Sequence, residues 1–370
     1  MKKIGLFGGS FDPVHVDHVN MCKKFKKSLL LDEVIVVPAR LSPFKTESGA
    51  SASDRFEMLR IAFGGIDGAT VSDYEIGSDG INYSYKTVEF FKEKFPNDEL
   101  FFLIGADSLE SFPHWTKPDV IATNAKICVA GRWGLNVEKS SVEFAKKFGY
   151  KPVILDFDGF CSSTEIRERL ELGLKTDAYL PKGVCEYITK KGLYEPDKYH
   201  SFMRLHSTEK RLNHTVGVML TAIRYAEATG ADKDKAKLAA LLHDCAKYLS
   251  PLDYPEFSID SDVPKPVVHQ YLGAYVAKNV LGVNDEEILS AIACHTTGKP
   301  EMSLLDKIIL TADLLEPARS FDGVEELRAA VDADFESGFR LCVHRLLQFL
   351  NESGEPVYRL TEMTDKYYNS

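Results

Sequence analysis

The sequence predicts two domains of different class: an α/β domain built on a parallel sheet over residues 1–196, and an all-α helical bundle over residues 197–370. Three observations predict it. Up to about Phe157, short apolar runs rich in β-branched residues alternate with amphipathic helical stretches, the pattern of parallel strands joined by crossover helices. After Tyr199 no strand-like run recurs, and Ala, Leu, Lys and Glu fill consecutive helical stretches punctuated by Gly230, Pro251, Gly282 and Pro300. A chain of 370 residues is also long enough for two cores, at roughly 100 to 200 residues per domain.

The candidate strands, in order, are IGLFG, EVIVVPA, ATVSDYEI, LFFLIGA, AKICVAG and PVILDF. The first crossover sets Val19, Cys22, Phe25 and Leu29 on one helical face and Lys23, Lys24, Lys26 and Lys27 on the other. Beyond the last strand, SSTEIRERLELG predicts a helix with serine N-caps. PKGVCEYITKK predicts another, with Pro181 in its first turn and Gly192 at its end. GLYEPDKYHS then breaks the pattern, which places the domain boundary near Pro196.

Composition excludes several classes. With 45 basic against 55 acidic residues and a net charge of -10, the chain has no long-range attraction to nucleic acid or to anionic lipid. A small phosphorylated ligand stays compatible, because a few local donors hold it whatever the net charge. No run approaches ~18 apolar residues and the start lacks a signal-peptide core, so the expectation is a cytoplasmic protein without a membrane partner. The seven cysteines are scattered without a C-x-x-C pair, which argues against a disulfide framework or a cysteine zinc site. Homo-oligomerisation is left open.

Chemistry concentrates first in GGSFDPVHVDH. There Gly8 and Gly9 let backbone approach a ligand, and the helix that follows presents its first N–H groups, a phosphate cradle. His15 and His18, three residues apart, share a helical face where both rings can donate to one phosphate. This block resembles the nucleotidylyltransferase superfamily, whose members carry H-x-G-H at that helix start. Further blocks narrow the resemblance to the bacterial nicotinate mononucleotide adenylyltransferases: PFK at Pro43, Phe44 and Lys45, DRFEML with Arg55 and Met58, YSYKT, IGADS, Trp115, SSTEIR, and the closing PKGVCEYITKKGLY.

That resemblance, over residues 1 to about 195, implies a Rossmann-like fold in which the phosphate of nicotinate mononucleotide attacks the α-phosphate of ATP and releases pyrophosphate, with Mg accompanying ATP. It implies that the backbone of Gly8, Gly9, Ser10 and Phe11 binds the triphosphate with His15 and His18. Lys45 would neutralise charge, and Ser162, Ser163, Thr164 and Arg167 would grip phosphate again. Tyr83, Ser84, Asp107 and Trp115 would surround the pyridine nucleotide. The chain departs from the family pattern at Asp17, which replaces the glycine of H-x-G-H. Two placements are open: a carboxylate aimed at ATP, or one turned outward that caps the first helical turn, the favoured expectation. If Asp17 disables transfer, the domain becomes an adenine-nucleotide-binding regulatory module for the second one; another alternative keeps the fold and takes nicotinamide mononucleotide as acceptor.

The helical half holds His214, the adjacent pair His243 and Asp244, then His269, His295 and Asp313. Imidazole and carboxylate without thiolate suit first-row metals such as iron, manganese or zinc. Neighbours on a helix point about 100° apart, so His243 and Asp244 can bind together only from a helix end or a distortion, with Asp244 as the natural bridge. In order, RLNHT, LLHDCAK, HQYLGAY, CHTTG and TADLLEPAR resemble the HD-domain metal-dependent phosphohydrolases, and among them the bacterial symmetrical diadenosine tetraphosphate hydrolases. The resemblance implies two metal ions, iron by family. One would sit on His214, His243, Asp244 and Asp313, the other on Asp244, His269 and His295. Lys247 and Arg211, each one turn from a ligand, are expected to reach phosphate oxygens. His200, His206 and His344 match no block and are read as surface or satisfied core residues.

Overall fold

β1 (Lys3–Gly9) runs through the middle of a six-stranded parallel sheet of order β3-β2-β1-β4-β5-β6, with β2 (Glu33–Pro38), β3 (Ala69–Val71), β4 (Glu99–Gly105), β5 (Lys126–Gly131) and β6 (Val153–Asp156). Leu6 stands opposite Ile35 on one side and Phe102 on the other. Strands buried on both faces need unbroken apolar sequence, which is why these runs do not alternate. The chain order reverses between β1 and β4, and in such sheets ligands bind beyond the carboxyl ends of the strands at that point. The computed structural model describes residues 1–40, 49–78, 82–131, 137–354 and 357–370.

The helix Val16–Leu29 packs Cys22 and Phe25 inward, burying each almost completely. Phe25 and Leu31 press so closely on β1 that a Cβ on Gly5 would lie 2.6 and 2.7 Å from their side chains. Only glycine fits there. Burying a phenylalanine of this kind contributes roughly 1.5–3 kcal/mol. On one face of the sheet, Ile4, Leu6, Val37, Phe102, Ile127 and Val129 meet Phe91, Phe112 and Phe144 from the crossover helices.

Two details differ from the sequence reading. The third strand is short, because Asp73–Gly77 closes a turn with the Gly77 N–H on the Asp73 carbonyl at 2.9 Å. Pro181 lies outside its helix, which begins at Val184 after a left-handed Gly183 and ends at Gly192, φ 59°.

The chain divides into two compact units, residues 1–167 with 175–195, and residues 168–174 with 196–370. The second is helical throughout its described residues, built on Glu209–Thr229, Lys233–Leu242, Val268–Asn279, Glu286–Cys294 and Leu304–Leu315, followed by Val324–Ala333, Phe335–Ser353 and Arg359–Asn369. Its core joins Val216, Met219, Leu242, Leu272, Ile292 and Ile309. Thr208 starts the longest helix by accepting the Arg211 N–H, and Gly230 ends it. Among the described residues no helix is long and apolar enough to cross a membrane.

Candidate active sites

In the first unit, β1 ends in the glycine pair and the chain crosses to the helix at Val16. The Arg55 guanidinium, almost fully buried, donates to the carbonyls of Ser10 at 2.6 Å and Ala39 at 2.7 Å, which holds the Ser10 backbone in place. Asp12 ties the loop from below. It accepts from Tyr194 Oη at 2.6 Å and from the N–H groups of Gly49 and Ala50 at 3.2 and 3.3 Å. Sequence reasoning misses these braces, because each joins positions far apart in the chain.

His15 caps the helix and is buried, whereas His18 is half-buried. The His15 N–H donates to His18 Nδ1 at 3.2 Å, which puts the His18 ring proton on Nε2 and makes that atom a donor. Val16 gives its N–H to the Tyr179 carbonyl at 2.9 Å, so this part of the helix start is already committed. The helix Ser163–Glu171 docks its beginning on the same loop. Ser163 Oγ donates to the Pro13 carbonyl at 3.0 Å and Arg167 Nη1 to the Asp12 carbonyl at 2.6 Å, while Arg167 Nη2 reaches Thr164 Oγ1 at 3.3 Å. Ser162 Oγ caps that helix by accepting the Glu165 N–H. Gly8, Gly9, Ser10 and Phe11 are thus brought together with His15, His18, Ser162, Ser163, Thr164 and Arg167.

Asp17 corrects the favoured expectation of an outward carboxylate. It is 3% exposed, and its Oδ2 accepts the Cys161 N–H at 2.9 Å, beside Gly159. The carboxylate holds a backbone donor of the segment that leads into SSTEIR. Tyr83 and Ser84 stand at the start of the helix Ser84–Lys94, and Trp115 follows the turn Phe112–His114 after β4, its indole N–H donating to Ser111 Oγ at 3.2 Å. Lys45 lies outside the described residues, with Pro43 and Phe44, and so does the side chain of Asp107.

In the second unit the helix Lys233–Leu242 stops at His243, its C-cap, and Asp244 sits in the turn beyond. That helix end is what lets adjacent side chains face one place. Asp244 is buried. Its Oδ2 lies 3.5 Å from His243 Nε2, and its Oδ1 lies 3.2 and 3.6 Å from the Nε2 atoms of His269 and His295. Two clusters result, His214–His243–Asp313 and Asp244–His269–His295, each with one ligand atom per residue within 4.8 Å of the others. His214 Nε2 is 3.0 Å from Asp313 Oδ1.

The rings are aimed by their other nitrogens. His243 Nδ1 donates to the Ala240 carbonyl at 2.6 Å, His295 Nδ1 to the Ile292 carbonyl at 2.8 Å, and His214 Nδ1 to Glu316 at 3.0 Å. Each therefore turns Nε2 inward. His269 and His295 bring their Nε2 atoms within 3.1 Å of each other, where at most one can carry a proton between them. His243 Nε2 and Asp244 Oδ1 are buried and make no hydrogen bond. Buried lone pairs that converge without protons between them fit a cation better than any hydrogen-bond network.

Electrostatics agree at Asp244, Asp313 and His269, whereas at His214 burial works downward but Asp313 and Glu316 outweigh it and raise the ring. Burial works to raise the Asp244 carboxyl, but His243, His269 and His295 outweigh it and hold it well below the usual range. Asp313 is likewise lowered by His214, His243 and Arg319 against burial. Burial pushes His269 down to about 4, with His295 and Lys247 adding to the fall, so it is neutral and ready to ligate. Arg211 Nη1 lies 2.5 Å from Asp244 Oδ2, and Lys247 Nζ lies 3.0 Å from His269 Nε2. Both cations sit at the rim of the same cluster. Thr296 Oγ1 approaches His269 and His295 at 3.2 and 3.1 Å, and it and Glu316 are members that spacing alone does not reveal.

Comparison with known proteins parallels this division. Residues 6–169 match the cytidylyltransferase-like family and residues 211–318 match the HD domain. The chain is 32% identical to a Mycoplasma genitalium protein named "Probable nicotinate-nucleotide adenylyltransferase/Ap4A hydrolase", over 86% of this chain and 88% of that one. Part by part, it is 36% identical to the Bacillus subtilis nicotinate-nucleotide adenylyltransferase, over 53% of this chain and all of that one. It is 39% identical to the symmetrical bis(5'-nucleosyl)-tetraphosphatase of the same organism, over 42% of this chain and 88% of that one. A six-stranded parallel sheet with its glycine loop at the switch point, a helical unit whose imidazoles and carboxylates converge, and relatives that span both place the chain in the family that fuses a nicotinate-nucleotide adenylyltransferase to an HD-type Ap4A hydrolase.

Proposed function

We propose that the chain is a bifunctional enzyme. Its first unit transfers the adenylyl group of ATP to nicotinate mononucleotide, giving nicotinate adenine dinucleotide and pyrophosphate. Its second hydrolyses diadenosine tetraphosphate to two ADP. The observation that carries this reading is the pair of three-residue clusters that meet at Asp244, where buried nitrogen and oxygen lone pairs converge.

In the first reaction an oxygen of the mononucleotide phosphate attacks the α-phosphorus, and the bond to the β-phosphate breaks. Such transfer needs positioning and charge neutralisation more than covalent help. The backbone of Gly8, Gly9, Ser10 and Phe11, braced by Arg55, would take the triphosphate with Mg. His18 would donate from Nε2, and His15, Lys45, Ser162, Ser163, Thr164 and Arg167 would share the charge. Tyr83, Ser84, Asp107 and Trp115 would hold the pyridine nucleotide, the indole against its ring.

In the second, His214, His243, Asp244 and Asp313 would hold one ion and Asp244, His269 and His295 the other. The donor set suits first-row metals, and iron is the identity that the family resemblance implies. When bound, two such ions supply an activated water and neutralise charge on the phosphoanhydride. Glu316 keeps His214 oriented, and Arg211 and Lys247 would leave their carboxylate and imidazole partners for phosphate oxygens.

Purified protein tests both halves. Expected are pyrophosphate release with ATP and nicotinate mononucleotide in excess of that with nicotinamide mononucleotide, and ADP as the sole product from diadenosine tetraphosphate. ATP binding without pyrophosphate release from either acceptor would point instead to a regulatory first unit, and AMP with ATP as products would overturn the symmetrical cleavage.

A further inference from the structure

A metal-ligating group also lies in the first unit, where His15, which the proposed transfer uses, meets two side chains that it does not use, Asp17 and Cys161. His15, Asp17 and Cys161 bring one ligand atom each within 4.8 Å of one another. His15 Nδ1 is 3.4 Å from Cys161 Sγ, and Asp17 Oδ2 accepts the Cys161 N–H at 2.9 Å. Asp17 belongs to the first helix and His15 is its N-cap, while Cys161 comes from the segment before Ser163–Glu171. Asp17 is the residue that replaces the glycine of the resembled pattern, so the site is a property of this chain's own sequence.

Ligand chemistry narrows the occupant. An imidazole, a carboxylate and a thiolate form a mixed set that favours zinc-class ions over magnesium or calcium, which take oxygen. With bonds of ~2.3 Å to sulfur and ~2.0 Å to nitrogen, a tetrahedral ion separates those two ligands by ~3.5 Å. The observed 3.4 Å needs almost no adjustment. A tetrahedral ion on these three ligands would take its fourth ligand from water.

We propose that His15, Asp17 and Cys161 form a binding site for a zinc-class divalent cation that ties residues 159–161 to the first helix. This assignment shares His15 with the nucleotide site proposed for the first unit, and a metal-binding readout tests it without reference to either activity.

Cobalt(II) is the probe, because a thiolate ligand gives it an intense near-ultraviolet charge-transfer band. Among the described residues the other metal-ligating groups contain no cysteine, so the HD-type site is silent at that band. Titrating the full chain should produce the band with one equivalent per chain, and added zinc should bleach it. Cys161→Ser should abolish it while the chain keeps its circular dichroism and its other bound metals. Asp17→Gly should weaken the band's midpoint by about 10-fold or more. Zinc should also raise the melting temperature of the parent chain and leave that of Cys161→Ala unchanged. No band in the parent chain at excess cobalt, or a band that survives in both Cys161 variants, would overturn the proposal.

Discussion

Glu316 Oε1 accepts the Nδ1 proton of His214 at 3.0 Å, and this contact decides which nitrogen of the ring faces Asp313 and His243. The carboxylate reaches that place because position 217 is glycine: a Cβ there would lie 2.5 Å from Glu316 Oε2. Burial works to raise Glu316, but His214 and the Ala318 N–H outweigh it, so it is the anion that orients the ring.

Removing that partner should loosen the ring without deleting a ligand. Glu316→Gln is expected to weaken metal retention in the second unit about 10- to 100-fold, and Gly217→Ala should move it in the same direction by displacing the carboxylate. Dialysis against graded chelator followed by metal analysis checks both. Unchanged retention in both variants would remove Glu316 from the site.

Asp17→Gly should cost stability and leave nucleotide binding nearly alone. The carboxylate bonds to the Cys161 N–H, and losing a hydrogen bond to a charged acceptor costs about 1.5–3 kcal/mol. The melting temperature should fall while ATP affinity changes less than tenfold, about 1.4 kcal/mol. Calorimetry with and without ATP separates the two, and a tenfold gain in affinity would mean that the carboxylate repels the triphosphate after all.

His200 ties together carboxylates within the second unit and makes its stability pH-dependent. Its Nδ1 lies 2.7 Å from Asp197, and its Nε2 lies 3.2 and 3.1 Å from Glu168 and Glu171. Burial works to lower it, but those carboxylates raise it; Glu168, conversely, is lowered by His200 and Lys237 against burial. The raised histidine contributes fully below about pH 6.5, its unfolded value, and loses that contribution as pH rises through its folded pKa. Depressed Glu168 contributes fully above about pH 4.3 and loses it as pH falls through its own folded value. Urea midpoints should therefore peak between those limits for this cluster. His200→Gln should cost about 3–5 kcal/mol there. The same loss at alkaline and mildly acidic pH would show that charge is not involved.

The fold was legible because strands buried on both faces cannot hide: IGLFG, LFFLIGA and AKICVAG are apolar without a break and too short for helices. The edge strand was less legible. It pairs only with β2, so its sequence is under weaker constraint and ATVSDYEI runs on into a turn. At the second unit's candidate site, residue type and order point to His214, His243, Asp244, His269, His295 and Asp313. Glu316, Thr296 and Gly217 act through contacts across the bundle and leave no local signal. Arg55 and Tyr194 stand in blocks that carry the resemblance, but their role as braces is hidden for the same reason: each reaches a loop on another element. Residues 168–174 belong to the second unit although their helix begins in the first, a division that helical periodicity cannot mark.

The most direct measurement is the metal content of Asp244→Asn beside the parent chain, taken with both activities. Asp244 is the only carboxylate that turns one oxygen to His243 and the other to His269 and His295 among the described residues. The parent should carry two metal ions in the second unit, and the variant should lose both together with diadenosine tetraphosphate hydrolysis while adenylyl transfer to nicotinate mononucleotide is unchanged. A variant that keeps two ions and normal hydrolysis would contradict the shared centre.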